Sequence, residues 1–118
     1  MSCIIEAKRF IVTNINILKA AAERCGAQLQ AASGGLDWHI VLHNRRCVSV
    51  HEMANGVCKL SWDTDQVPEF RKELGKELEI LEMFYGMETT RQIAQTNGWQ
   101  YTETPQGEDQ YAVELEIE

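Results

Sequence analysis

The sequence predicts an α+β fold: a two-layer domain with an antiparallel sheet of about five strands and two to three helices on one face. Three observations carry this expectation. From Trp38 to Trp62, apolar residues fall on alternate positions through three short runs, the period of a half-buried antiparallel meander. The segments 15–25 and 67–84 instead repeat their apolar residues every three or four positions, as an amphipathic helix does. The chain closes on a second alternating run, with Tyr111, Val113, Leu115 and Ile117 set against Ala112, Glu114, Glu116 and Glu118. With 118 residues, 44% of them hydrophobic and 25% charged, the composition suits one domain over 1–118 around one core.

Taken in order, Ile4 to Val12 is β-prone and reads as a first strand. Thr13 and Asn14 offer a helix N-cap, Ile15, Leu18, Ala21, Ala22 and Cys25 recur at helical spacing, and Gly26 is a stop signal. Ala31 to Gly35 reads as a loop before the meander. After the meander, Thr64 or Asp65 caps a second helix whose first turn holds Pro68. Its apolar stripe is Val67, Phe70, Leu74, Leu78, Leu81 and Phe84. Gly86 is expected to break it, and a shorter helix follows from Glu88 to Thr96, ended by Asn97-Gly98. A final hairpin starts at Trp99 and Tyr101, turns at 105–109, and is expected to keep one face in the core and the other acidic.

Register decides what the histidines can do. A three-residue loop, Asn44-Arg45-Arg46, would place Leu42 opposite Val48 and Ile40 opposite Val50, leaving one uniformly apolar face. A two-residue loop would mix Ile40 and Leu42 with Cys47, Ser49 and His51, so the odd loop is expected. Asn55-Gly56 then turns the chain, because both residues tolerate positive φ. The wet face would carry His39, His43, Cys47 and His51, with His39 facing His51 and His43 facing Cys47. The two pairs would lie roughly 13 Å apart along the strands. Zinc holds its ligands at about 2.0–2.3 Å, so four residues spread in this way do not share one ion. No metal or cofactor is therefore expected. The bland reading is a solvated sheet face; the sharper ones are a metal half-site completed by another subunit or by a loop carboxylate such as Asp37, a His-mediated contact or pH-sensitive surface, or a metal or redox sensor. Cys47, beside Arg45 and Arg46, is the thiol expected to react.

Composition limits function further. A formal net charge of −7 argues against direct binding to nucleic acid or to anionic membranes. No apolar run is long enough to span a bilayer, and the N-terminus has no signal-peptide pattern, so a cytoplasmic setting with reduced thiols is expected. The four cysteines form no Cys-x-x-Cys pair. Phosphate-binding glycine loops, a Gly-x-Ser-x-Gly elbow and a His-Glu-x-x-His motif are absent from the sequence.

Several segments together resemble a family of small uncharacterised proteins of cyanobacteria, algal plastids and phages. They are an opening strand, the helix around Asn16-Ile17-Leu18-Lys19-Ala20-Ala21-Ala22, the meander, Phe84-Tyr85 running on to Ile93-Ala94-Gln95-Thr96-Asn97-Gly98-Trp99, and the closing hairpin. The resemblance covers most of the chain and implies the fold; the family has no established activity, so it carries over no functional residue. The expected function is a non-enzymatic, acidic protein-interaction module, an adaptor, regulator or phage-type inhibitor of a basic, nucleic-acid-binding protein. Its expected contact residues are Glu114, Glu116 and Glu118 on the last strand and His39, His43, Cys47 and His51 on the sheet face. Pairing of the last strand across a two-fold axis, giving a homodimer, is the expected route to self-association.

Overall fold

The structure is a computed structural model and describes residues 3–33 and 35–117. Its elements run β1 (Ile4–Glu6), α1 (Ile15–Arg24), β2 (Gln28–Ala31), β3 (Asp37–Leu42), β4 (Arg45–Glu52), β5 (Cys58–Asp63), a 3-10 turn (Thr64–Gln66), α2 (Val67–Leu74), α3 (Glu79–Asn97), β6 (Gln100–Gly107) and β7 (Gln110–Glu116). The α+β class and the antiparallel sheet are as expected. The main sheet has five strands in the order β1-β5-β4-β3-β2, and β6 and β7 form a separate two-stranded sheet.

The main sheet has the expected number of strands, but the outer ones differ from the sequence expectation. The opening strand is only Ile4–Glu6, with Val12 returning as a single bridge to Cys58. The fifth strand of the main sheet is Gln28–Ala31, which takes in the start of the expected loop. It pairs Leu29 with Ile40 and buries that leucine while its neighbours stay exposed. The C-terminal hairpin adds nothing to the main sheet. Glu114 and Glu116 therefore lie on a different sheet from His39 and Ser49.

The β3–β4 turn overturns the odd-loop register and reaches the same parity by another route. Leu42 pairs with Arg45 across a two-residue turn, His43-Asn44, whose φ values are 52° and 63°. Two successive positive φ angles suit a hairpin turn whose twist matches its strands, and Asn and His tolerate them better than most residues. The register then shifts between Ile40 and Val41, so that Ile40 faces Val48 and Trp38 faces Val50. Cys47 is the extra residue of this bulge, and it and Val48 are both buried. An even turn plus one bulged residue thus keeps Ile40, Leu42, Val48 and Val50 on the core face. From there Val50 faces Leu60, as expected, and the Asn55-Gly56 turn closes with Gly56 at φ 86°.

The helices cover this face. Asn14 caps α1, its Oδ1 accepting from the amides of Asn16 (3.0 Å) and Ile17 (3.2 Å), and the small residues Ala21 and Ala22 let the helix lie close to its neighbours. The expected single helix over 67–84 is broken at Gly75, not at Gly86. Gly75 has φ 92° and Leu78 φ 64°; between them the Glu79 carboxylate accepts from the amides of Lys76 (3.0 Å) and Glu77 (2.8 Å) and ties off the start of α3. The α3 helix then runs unbroken through Gly86 to a left-handed C-cap at Gly98. Every residue of the expected stripe except Val67 is buried, so the face was right although the geometry was not. Tyr85 accepts the amides of Thr13 and Asn14 on its hydroxyl, at 3.1 and 3.2 Å, and so fixes α3 to the start of α1.

Candidate functional site

Three surfaces hold the charged and exposed residues of interest. The first is the bare face of the five-stranded sheet. One row crosses all five strands: Glu6, Ser61, Ser49, His39 and Gln30. The next row holds Lys59, His51 and Asp37. The two central serines are small, and the longer side chains around them leave a shallow trough of about 370 Å³. Most of its longer polar side chains are already partnered. His51 Nδ1 lies 2.5 Å from Asp37 Oδ1, and Lys59 Nζ lies 3.7 Å from Glu6 Oε1. These are exposed pairs, of the kind that contributes roughly 0–1 kcal/mol each.

The four His and Cys residues are not brought together. His39 faces Ser49, not His51. His43 sits in the turn with its Nε2 3.6 Å from Glu73. Cys47 is 3% exposed and belongs to the core, with burial pushing its thiol pKa up, so it is neither on the wet face nor paired with His43. His51 pairs with Asp37 alone, and among the described residues no three His, Cys, Asp or Glu side chains are grouped as a metal site. Of the Cys and His constellation, only the Asp37 neighbour of His51 survives.

The second surface is a charged clamp between α1, α3 and β6. Arg24, the last residue of α1, donates to both Glu103 carboxylate oxygens (2.8 and 2.7 Å) and to Glu88 (3.2 Å). Its guanidinium lies over the Phe84 ring at 4.6 Å and beside Tyr111 at 5.9 Å. Arg91 forks onto the other oxygen of Glu88, and Tyr101 donates to Glu103 at 2.7 Å. Glu88 is 7% exposed and is balanced by two guanidiniums. The Arg24 hydrogen bond, supported by Tyr101, holds the Glu103 carboxyl below the usual carboxylate range, and the same pairing raises Arg24 further above its own. Nothing in the sequence marks this set, because its members are 64 and 79 positions apart. The clamp is the means by which the hairpin is held to the body.

The third surface is the hairpin. Cross-strand pairs put Tyr101, Glu103 and Pro105 of β6 on one face with Leu115, Val113 and Tyr111 of β7, and put Thr102 and Gln100 on the other with Glu114 and Glu116. Tyr111 packs edge-on against Phe84 with ring centroids 5.6 Å apart, and Tyr101 reaches Met87 O. These anchors lie on the same face as Val113 and Leu115, yet they leave it partly open: Val113 and Leu115 are each 39% exposed, and Ile117, just past β7, is 65% exposed. The expectation that this face lies wholly in the core therefore fails. Glu114 and Glu116 are exposed as expected, and Glu118 lies outside the described residues. No lysine or arginine follows Arg91, while Glu103, Glu108, Asp109, Glu114, Glu116 and Glu118 do. The exposed apolar residues at the end of the hairpin thus lie in a stretch that is acidic throughout.

No protein-family model, curated protein or solved structure matches the chain. Among the described residues, no helix is long and apolar enough to cross a membrane.

Proposed function

We propose that the protein is a non-enzymatic, acidic protein-interaction module whose contact surface is the β6–β7 hairpin and whose partner is a basic protein. The observation that supports this most is the exposed run Val113, Leu115 and Ile117 alternating with Glu114 and Glu116 at the end of the hairpin. Exposed apolar side chains scattered singly are ordinary, whereas a row of them on one strand, flanked by one sign of charge, is the pattern of a contact surface. A protein that itself binds nucleic acid would present the complementary positive charge, and the cytoplasm is the proposed setting. The kinship with small cyanobacterial, plastid and phage proteins belongs to the same proposal and adds no residue to it.

The test compares the tagged wild type with Glu114→Lys/Glu116→Lys in affinity capture from source cells over a salt series. The expected result is one stoichiometric partner that the wild type retains, that rising salt releases, and that the double variant loses by about ten-fold or more at low salt. Equal retention by both proteins would move the contact away from β7.

A further inference from the structure

We propose, building on the hairpin as contact surface, that the free edge of β7 takes up an extended basic strand of the partner by β-sheet addition, its alternating apolar and cationic side chains matching those of β7. An exposed strand edge offers unpaired backbone donors and acceptors, and folded proteins blunt such edges with short strands, proline, bulges or charged side chains, lysine above all. The other edges here are blunted. The main sheet ends in β1, three residues long, and β2, four residues long. The β6 strand carries Pro105, which has no N–H to give, and its register is irregular between Pro105 and Gly107. The β7 strand, Gln110–Glu116, runs seven residues without proline, lysine or bulge, and its only guard is the charge of Glu114 and Glu116, which repels an acidic strand but admits a basic one. Among the described residues, the backbone of 100–117 makes no hydrogen bond to a backbone group outside the β6–β7 pair.

The side chains say what would fit. A strand added antiparallel to β7 meets Val113 and Leu115 on one face and Glu114 and Glu116 on the other. Opposite-charge cross-strand pairs stabilise and like-charge pairs do not, so the added strand should be apolar on one face and carry lysine or arginine on the other. A second copy of this chain is a poorer occupant. Two-fold pairing about Leu115 or Glu114 sets glutamates opposite one another, and pairing about Val113 leaves Glu114 diagonal to its own counterpart. Each copy also brings a net charge of −7.

The probe is a labelled eight-residue peptide, Lys-Val-Lys-Thr-Lys-Val-Lys-Thr, titrated against the whole protein at low salt. Its controls are a peptide of the same composition with its lysines in one block, and two versions N-methylated on one or the other alternate set of amides. We expect the alternating peptide to bind about ten-fold more tightly than the block peptide, and methylation of only one amide set to abolish binding. Amide exchange along β7 should slow on binding, and Glu114→Lys/Glu116→Lys should weaken it by about ten-fold or more. If all four peptides bind alike, the hairpin attracts charge without pairing strands, which overturns strand addition and leaves the interaction reading standing. If no basic peptide binds and the charge reversal loses no partner from cells, both fall. A dimer formed through β7 in the absence of peptide would give the edge to a second copy and overturn the proposal.

Discussion

A thiol attacks as its thiolate, and burial withholds that form. Burial pushes Cys25 up to about 12, with Asp109 adding to the effect, and raises Cys47 and Cys58 in the same direction. All three therefore stay protonated at neutral pH; Cys47 and Cys58 are also buried and Cys25 half-buried, while Cys3 is exposed. With excess iodoacetamide at pH 7.5, the native protein is expected to take up one label quickly, at Cys3, and the remaining three only after denaturation. Fast labelling of Cys47 in the native protein would restore it to the wet face, where strict alternation along 47–51 had placed it, and would contradict the bulge. The same residue shows how far side-chain pattern can be read. Alternation correctly assigns Ile40, Leu42, Val48 and Val50 to one face, because burial depends on parity. It does not say how the chain restores parity. An odd loop and an even turn with one bulged residue give the same faces, and they differ only in Cys47 and in which residue each histidine meets.

At the scale of elements, two glycines separate the expected from the observed helices. Gly75 lies at φ 92°, and a Cβ there would come within 2.6 Å of the Glu79 carboxylate. Gly86 lies within α3 with open space around it. Gly75→Ala is therefore expected to destabilise the protein by about 1–3 kcal/mol, through the backbone conformation and the displaced Glu79 cap. Gly86→Ala should stabilise it by about 0.5–1 kcal/mol, since alanine is the better residue in a helix interior. Urea denaturation of the two variants decides the matter: a reversed order would put the helix break back at Gly86. The break was illegible because the stripe from Phe70 to Phe84 keeps helical spacing through it; 75–78 turn the chain yet still deliver Leu78 to the core. The caps at Asn14 and Gly98 and the Asn55-Gly56 turn were legible, because each depends on the chemistry of the residue itself. The β2 strand was not: of its four residues only Leu29 is buried, and Gln28–Ala31 lacks β-branched and aromatic side chains, so its pairing with β3 supplies what propensity does not.

The whole molecule is longer than a compact chain of its size. Its Cα radius of gyration is 14.9 Å, against about 13.5 Å expected from length alone, and its extents are 52 × 35 × 24 Å. The hairpin rests on the body through a small set of groups, chiefly Arg24, Glu88, Glu103, Tyr101 and the Tyr111–Phe84 contact. No pattern along the chain announces that set, since its ion pairs join α1 to α3 and β6 across most of the sequence. Such a hairpin should open as a unit of lower stability than the five-stranded sheet. Arg24→Ala removes one partner of a half-buried, hydrogen-bonded charge network and should lower the opening free energy of the hairpin by about 2–4 kcal/mol. The pH dependence has a fixed sign. The Glu103 carboxyl is held below its ordinary value by Arg24, so its contribution is complete above the ordinary carboxylate range and is lost as pH falls through the lowered value. Amide exchange, corrected for its intrinsic pH dependence, should then show β6 and β7 losing protection as pH falls below the ordinary carboxylate range, before β3, β4 and β5 do. Glu103→Gln should remove that acid step and leave the hairpin loosened at neutral pH as well. If Arg24→Ala instead weakens the sheet and the hairpin equally, the hairpin is part of one cooperative core, and a strand that must remain open to a partner would not be held on a separable arm.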